Sequence, residues 1–129
     1  MERTEAGELL TEVYETLYRL GIRATMQGFF ETSGAVFLVA TKSRREWFSI
    51  TEVYREISAL YRTDAADVDP RIRRMIQKMW KSNPELLKRM AGYELEIRPT
   101  PREFLEIMRG YLTARNFSVR PVDKRSDFC

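Results

Sequence analysis

The stretch SITEVYREISALYRTDAADVDPRIRRMIQKMWKS, residues 49–82, decides the fold. It opens on Ser49-Ile50-Thr51-Glu52, a capping box in which a hydroxyl at the cap and a Glu three residues on satisfy orphan N–H groups. A helix is predicted from there to about Tyr61, with Val53, Ile57, Leu60 and Tyr61 facing inward. Arg62-Thr63-Asp64-Ala65-Ala66 forms a polar break. A second helix follows over about 68–82, with Ile72, Met75, Ile76, Met79 and Trp80 on one face. In this reading Asp67 or Asp69 caps that helix, and Pro70 sits in its first turn, where a missing N–H costs nothing. A capped helix, a short break and a basic amphipathic helix outline a helix-turn-helix. In such a unit the first helix braces the second, and the second can enter the DNA major groove.

The flanking sequence is helical too. Leu9, Leu10, Val13, Tyr14, Leu17 and Leu20 form one stripe of a helix from about Thr4 to Leu20, and Gly21 stops it. A further helix is expected over about Met26 to Ser43, with Gly28 and Gly34 inside it and Phe29, Phe30, Val36, Phe37 and Val39 supplying core bulk. Thr41 to Arg45 make a polar, basic connection. Downstream of the central pair, Pro84 opens a short helix to about Met90, closed by Ala91-Gly92. Tyr93 to Arg98 alternates as a short edge strand would, but inside a helical chain an ordered loop is expected. Thr100-Pro101-Arg102-Glu103 is a second capping box. The last helix runs to Leu112 or Arg115, with Phe104, Leu105, Met108, Tyr111 and Leu112 inward. The expectation is an all-α, compact bundle of about six helices containing a helix-turn-helix. Residues 1–115 form one domain, and 116–129 form a polar tail.

Composition narrows the function classes. With 129 residues, 43% of them hydrophobic, the chain can bury one core without disulfide staples. Histidine is absent, which removes histidine acid–base chemistry and His-ligated metal sites. The one cysteine, Cys129, supports neither a disulfide framework nor a cysteine metal cluster. No glycine-rich phosphate loop follows a strand, and the carboxylates Glu12 and Glu15 read as a solvated helix surface. No enzyme activity, cofactor or metal is therefore expected. The start is charged, and the longest apolar run, Ala35 to Ala40, is too short to cross a bilayer, so a soluble cytoplasmic protein is expected.

The charge is unevenly placed. Residues 1–20 carry Glu2, Glu5, Glu8, Glu12 and Glu15 against Arg3 and Arg19. Residues 62–90 carry Arg62, Arg71, Arg73, Arg74, Lys78, Lys81, Lys88 and Arg89 against Asp64, Asp67, Asp69 and Glu85. A basic stretch in a small helical protein suggests a polyanion partner; a merely solvated face is the alternative. On the helix over 68–82, Arg71, Arg74, Lys78 and Lys81 share one flank, and Arg73 and Gln77 a neighbouring one. Arg can grip guanine O6 and N7 bidentately, and Gln can do the same to adenine. Lysines near the helix end suit phosphates, which position without specifying. The expected DNA contacts are thus Arg71, Arg73, Arg74, Gln77, Lys78 and Lys81. From pattern alone, an ordinary amphipathic bundle helix explains the same residues.

Four stretches carry a family resemblance. They are Leu20-Gly21-Ile22-Arg23-Ala24 with Gly28-Phe29; Ser49-Ile50-Thr51 with Ile57 and Tyr61; Ile72-Arg73 with Ile76 and Trp80; and Gly92-Tyr93, Pro99-Thr100 and Glu103-Phe104. In order and spacing, over about residues 9 to 113, the chain resembles the C-terminal DNA-binding effector domain of the stage-zero type A response regulator that commits bacteria to sporulation.

The resemblance implies a six-helix domain with a helix-turn-helix that regulates transcription by sequence-specific duplex binding. Double-stranded DNA is the implied partner, bound as a homodimer or as tandem copies; no membrane is involved. Arg73 falls where the family has a DNA-contacting arginine. Asp67 and Pro70 stand where the family has arginines facing DNA, Asp69 replaces a Glu, and Arg74 replaces a His, so the target sequence should differ. The family's regulators carry a receiver domain ahead of this one, and the chain is expected to be a stand-alone relative or an isolated effector domain. The rival reading, motivated by Asp67, Asp69 and Pro70, is a protein-interaction module, an antagonist or adaptor with a protein partner, that kept the fold and lost specific DNA binding.

Overall fold

A computed structural model describes residues 3–42 and 46–116. Six helices follow one another: α1 (Arg3–Leu20), α2 (Phe29–Ala40), α3 (Ile50–Tyr61), α4 (Ala65–Ser82), α5 (Pro84–Ala91) and α6 (Pro101–Asn116). No strand occurs among the described residues, so the all-α expectation holds, and Tyr93 to Arg98 is a loop. Expectations for Ser43, Arg44 and Arg45, and for the tail beyond Asn116 including Cys129, lie outside the described residues.

α1 buries Leu9, Val13, Leu17 and Leu20 completely, the stripe that its spacing predicts. It ends at Gly21, whose φ of 104° lets the chain turn left-handed while the Ile22 N–H donates to the Leu17 carbonyl at 3.2 Å. A Cβ on Gly21 would collide with the Ser82 hydroxyl, so the end of α1 sits directly on the end of α4.

α2 is the central element. It packs on α1, α3, α4 and α6, and Phe29, Ala35, Val36 and Val39 are buried. Its start differs from expectation. Met26 to Gly28 are turns, and Gly28 is the cap, with φ 103°. Gly28 is required there for a second reason: a Cβ would lie 3.0 Å from the Arg71 carbonyl, against the backbone of α4.

Both capping boxes form their first bond. The Ser49 hydroxyl accepts from the Glu52 N–H at 3.2 Å, and the Thr100 hydroxyl from the Glu103 N–H at 3.1 Å. Their glutamates turn elsewhere: Glu52 pairs with Arg55, and Glu103 accepts from the Tyr93 hydroxyl. Leu60 and Tyr61 were expected inward. α3 packs on α2 and α4 through its Val53–Ile57 side; Leu60 is 64% exposed beside Leu38, Glu56 and Ala59, while Tyr61, 37% exposed, still lays its ring against Gly34 of α2.

The start of α4 corrects the sequence reading. The cap is Asp64, whose carboxylate accepts from the Ala66 N–H at 3.1 Å, and neither Asp67 nor Asp69 has that role. The helix runs on through Pro70, a full turn inside. Val68, fully buried and one turn before Ile72, extends the apolar stripe backwards, and Ala65 and Ala66 favour helix; together they outweigh the bond lost at Pro70.

Candidate nucleic-acid interface

α3 and α4 are joined by Arg62, Thr63 and Asp64. A turn this tight needs one left-handed residue, and Arg62 supplies it with φ 54°. The Arg62 and Thr63 N–H groups then both donate to the Ser58 carbonyl, closing α3. Asp64 opens α4 at once. Val53 and Ile57 of α3 and Val68, Ile72, Met75, Ile76 and Met79 of α4 belong to one buried cluster, so the second helix is seated firmly on the first.

Two polar ties fix α4 further. The Arg71 guanidinium donates to the Glu31 carboxylate of α2 at 2.5 Å and to the Thr63 hydroxyl at 3.0 Å. The Glu31 side chain is nearly buried, and that of Arg71 is 23% exposed. The second tie centres on Asp69. One of its carboxylate oxygens accepts from the Tyr54 hydroxyl of α3 at 2.6 Å, and the other from the Arg73 Nε at 2.6 Å. Burial first, then donation to Asp69, hold the Tyr54 hydroxyl well above its ordinary pKa, so it remains a donor at neutral pH.

Of the six residues expected at DNA, Arg73, Arg74, Gln77, Lys78 and Lys81 all lie on the exposed side of α4. Arg71 is turned away from them by its bonds to Glu31 and Thr63. Asp67 and Pro70 are exposed near the start of the same helix. Arg73 also borders a shallow groove lined by Trp80 and residues 96–100. Sequence reasoning missed Tyr54, Glu31 and Thr63. Tyr54 lies 15 residues from Asp69, and Glu31 lies 40 from Arg71, so no local spacing announces either pair. The one hint was Glu31, the single charged residue of α2.

A helix, a three-residue turn and a basic second helix, carried on a six-helix all-α scaffold, define a helix-turn-helix domain of the kind transcription regulators use. The family model described as sporulation initiation factor Spo0A C terminal matches residues 13–112, and the chain belongs to that family of DNA-binding effector domains. No solved structure gives a significant match. Among the described residues no helix is long and apolar enough to cross a membrane.

Proposed function

We propose that the protein regulates transcription by binding duplex DNA sequence-specifically, with α4 in the major groove. Arg73, Arg74 and Gln77 meet base edges, and Lys78 and Lys81 meet phosphates. Arg71 braces α4 against α2, because reaching a base would break its bonds to Glu31 and Thr63. The observation that carries the reading is the exposed face of Arg73, Arg74, Gln77, Lys78 and Lys81 on the second helix of a helix-turn-helix, in a chain of this family. Enzymatic roles gain no support from this arrangement.

Gel-shift titration against duplexes selected from a random pool, at two salt concentrations, tests it. Arg73→Ala should cost about 1–3 kcal/mol on the preferred site and relax its specificity. Lys81→Ala should weaken all sequences alike and lower the slope of log K against log salt by about one. Failure of the wild type to bind any duplex at low salt would reject the reading and leave the interaction module.

A further inference from the structure

Asp69 looks at first like a flaw in a DNA-binding face, an acid on a surface that must approach phosphates. Its geometry says otherwise. Both carboxylate oxygens are occupied, one by the Tyr54 hydroxyl and one by the Arg73 Nε, each at 2.6 Å. Tyr54 is half-buried on α3, the helix that α4 is packed against, so the carboxylate is anchored from behind. Arg73 is the reverse: its side chain is 59% exposed. The carboxylate takes only the Nε–H, and the terminal nitrogens of the guanidinium make no bond to Asp69. Those two nitrogens are the pair whose geometry matches guanine O6 and N7.

We propose that Tyr54 and Asp69 are positioning residues that set Arg73 as a guanine reader. This inference rests on the DNA-binding reading above. Tyr54 fixes the Asp69 carboxylate, and Asp69 fixes the plane of the guanidinium, so Arg73 meets the base edge with its rotamers already restricted. An unbuttressed arginine at the same position would wander between phosphate and base, and would attract every duplex without choosing among them. The acid therefore lowers general attraction and raises discrimination. Asp67, exposed in the first turn of α4, lies outside the Tyr54–Asp69–Arg73 chain of bonds and serves as the charge control.

The sign of the effect separates this from a plain charge effect. If Asp69 were only a repulsive charge, Asp69→Asn would tighten binding to every duplex and leave the ratio between them unchanged. As a positioning residue, Asp69→Asn should tighten binding to a scrambled duplex yet lower the specific-to-scrambled affinity ratio by about tenfold. Tyr54→Phe alters no charge, so its fall in the ratio cannot come from phosphate repulsion. Asp67→Asn should tighten both duplexes and keep the ratio.

The experiment measures gel-shift affinities of wild type and the three variants for the 20-base-pair duplex enriched by wild type from a random pool, and for its scrambled control. A second set of duplexes carries 7-deazaguanine at each guanine in turn, which removes the N7 acceptor. Wild type should lose affinity at one guanine, and that loss should shrink in Tyr54→Phe and Asp69→Asn as it does in Arg73→Ala. Circular dichroism of each variant confirms folding. Selective binding by wild type, with an unchanged ratio and an unchanged 7-deazaguanine loss in folded Tyr54→Phe and Asp69→Asn, would overturn the positioning role and spare the DNA-binding reading. No selective binding by wild type would overturn both.

Discussion

Arg71 and Arg73 lie two residues apart on one helix and have opposite surroundings. Arg71 is bonded to a nearly buried carboxylate, so its contribution is structural. Arg71→Ala leaves Glu31 without its cation, and loss of one member of such a pair costs about 3 kcal/mol. Urea denaturation should show that loss, whereas Arg74→Ala, on the exposed face, should stay within about 0.5 kcal/mol of wild type. Equal stability of the two variants would remove the bracing role of Arg71. Tyr54 gives a pH-dependent counterpart. Its folded-state pKa lies above the ordinary 10.0, chiefly through burial, so the folded state favours the neutral hydroxyl. That contribution is fully present below about pH 10, and it is lost as pH rises from there through the higher folded value. Stability of the wild type should therefore fall in alkali with a component that Tyr54→Phe lacks. Parallel profiles of the two proteins from pH 9 upward would contradict the assignment. At this scale the sequence was least informative. It named the exposed cations of α4 correctly as surface residues, because helical spacing fixes a face. It could not name Tyr54 or Glu31, because contacts between elements depend on how the helices cross.

At the scale of elements, hydrophobic stripes and caps were legible where one local signal acted alone. Ser49, Thr100 and Pro84 mark helix starts that the structure keeps. The start of α4 was misplaced because two local signals competed. Pro70 and the acids Asp67 and Asp69 suggested a first turn, yet Val68 is buried and draws the preceding turn into the helix. The consequence is measurable. Asp64→Ala removes the bond to the Ala66 N–H and should cost about 1 kcal/mol, while Asp67→Ala should leave capping intact. Pro70→Ala restores the donor that α4 lacks toward the Ala66 carbonyl, and it should stabilise the protein by about 1–2 kcal/mol after the gain in unfolded-state entropy is offset. Chemical denaturation of the three variants checks the order. A destabilising Pro70→Ala would mean that the proline is accommodated without loss. Leu60 was misjudged for a related reason: periodicity places it on the inner half of α3, but it lies at the edge of that half, lining an open surface groove with Leu38 of α2.

At the scale of the molecule, the buried cluster draws residues from all six helices, from Leu9 on α1 to Leu112 on α6. α2 links most of them, touching α1, α3, α4 and α6, so the helix-turn-helix has no core of its own. A domain whose parts share one core should unfold in one step. Leu17 on α1 tests this, because it is fully buried on a helix that packs against α2, α5 and α6. Leu17→Ala should cost about 2–5 kcal/mol through lost burial and the cavity left behind. The same shift in midpoint should appear in far-ultraviolet circular dichroism, which averages every helix, and in tryptophan fluorescence. The chain's two tryptophans, Trp47 and Trp80, both lie far along the chain from Leu17, just ahead of α3 and on α4. If fluorescence kept its wild-type midpoint while circular dichroism moved, α3 and α4 would be a separate folding unit. Coincident shifts would instead mean that α3 and α4 unfold together with the other helices as one cooperative unit, so that a substitution in the distant core lowers the folded fraction of α4 as much as that of α1.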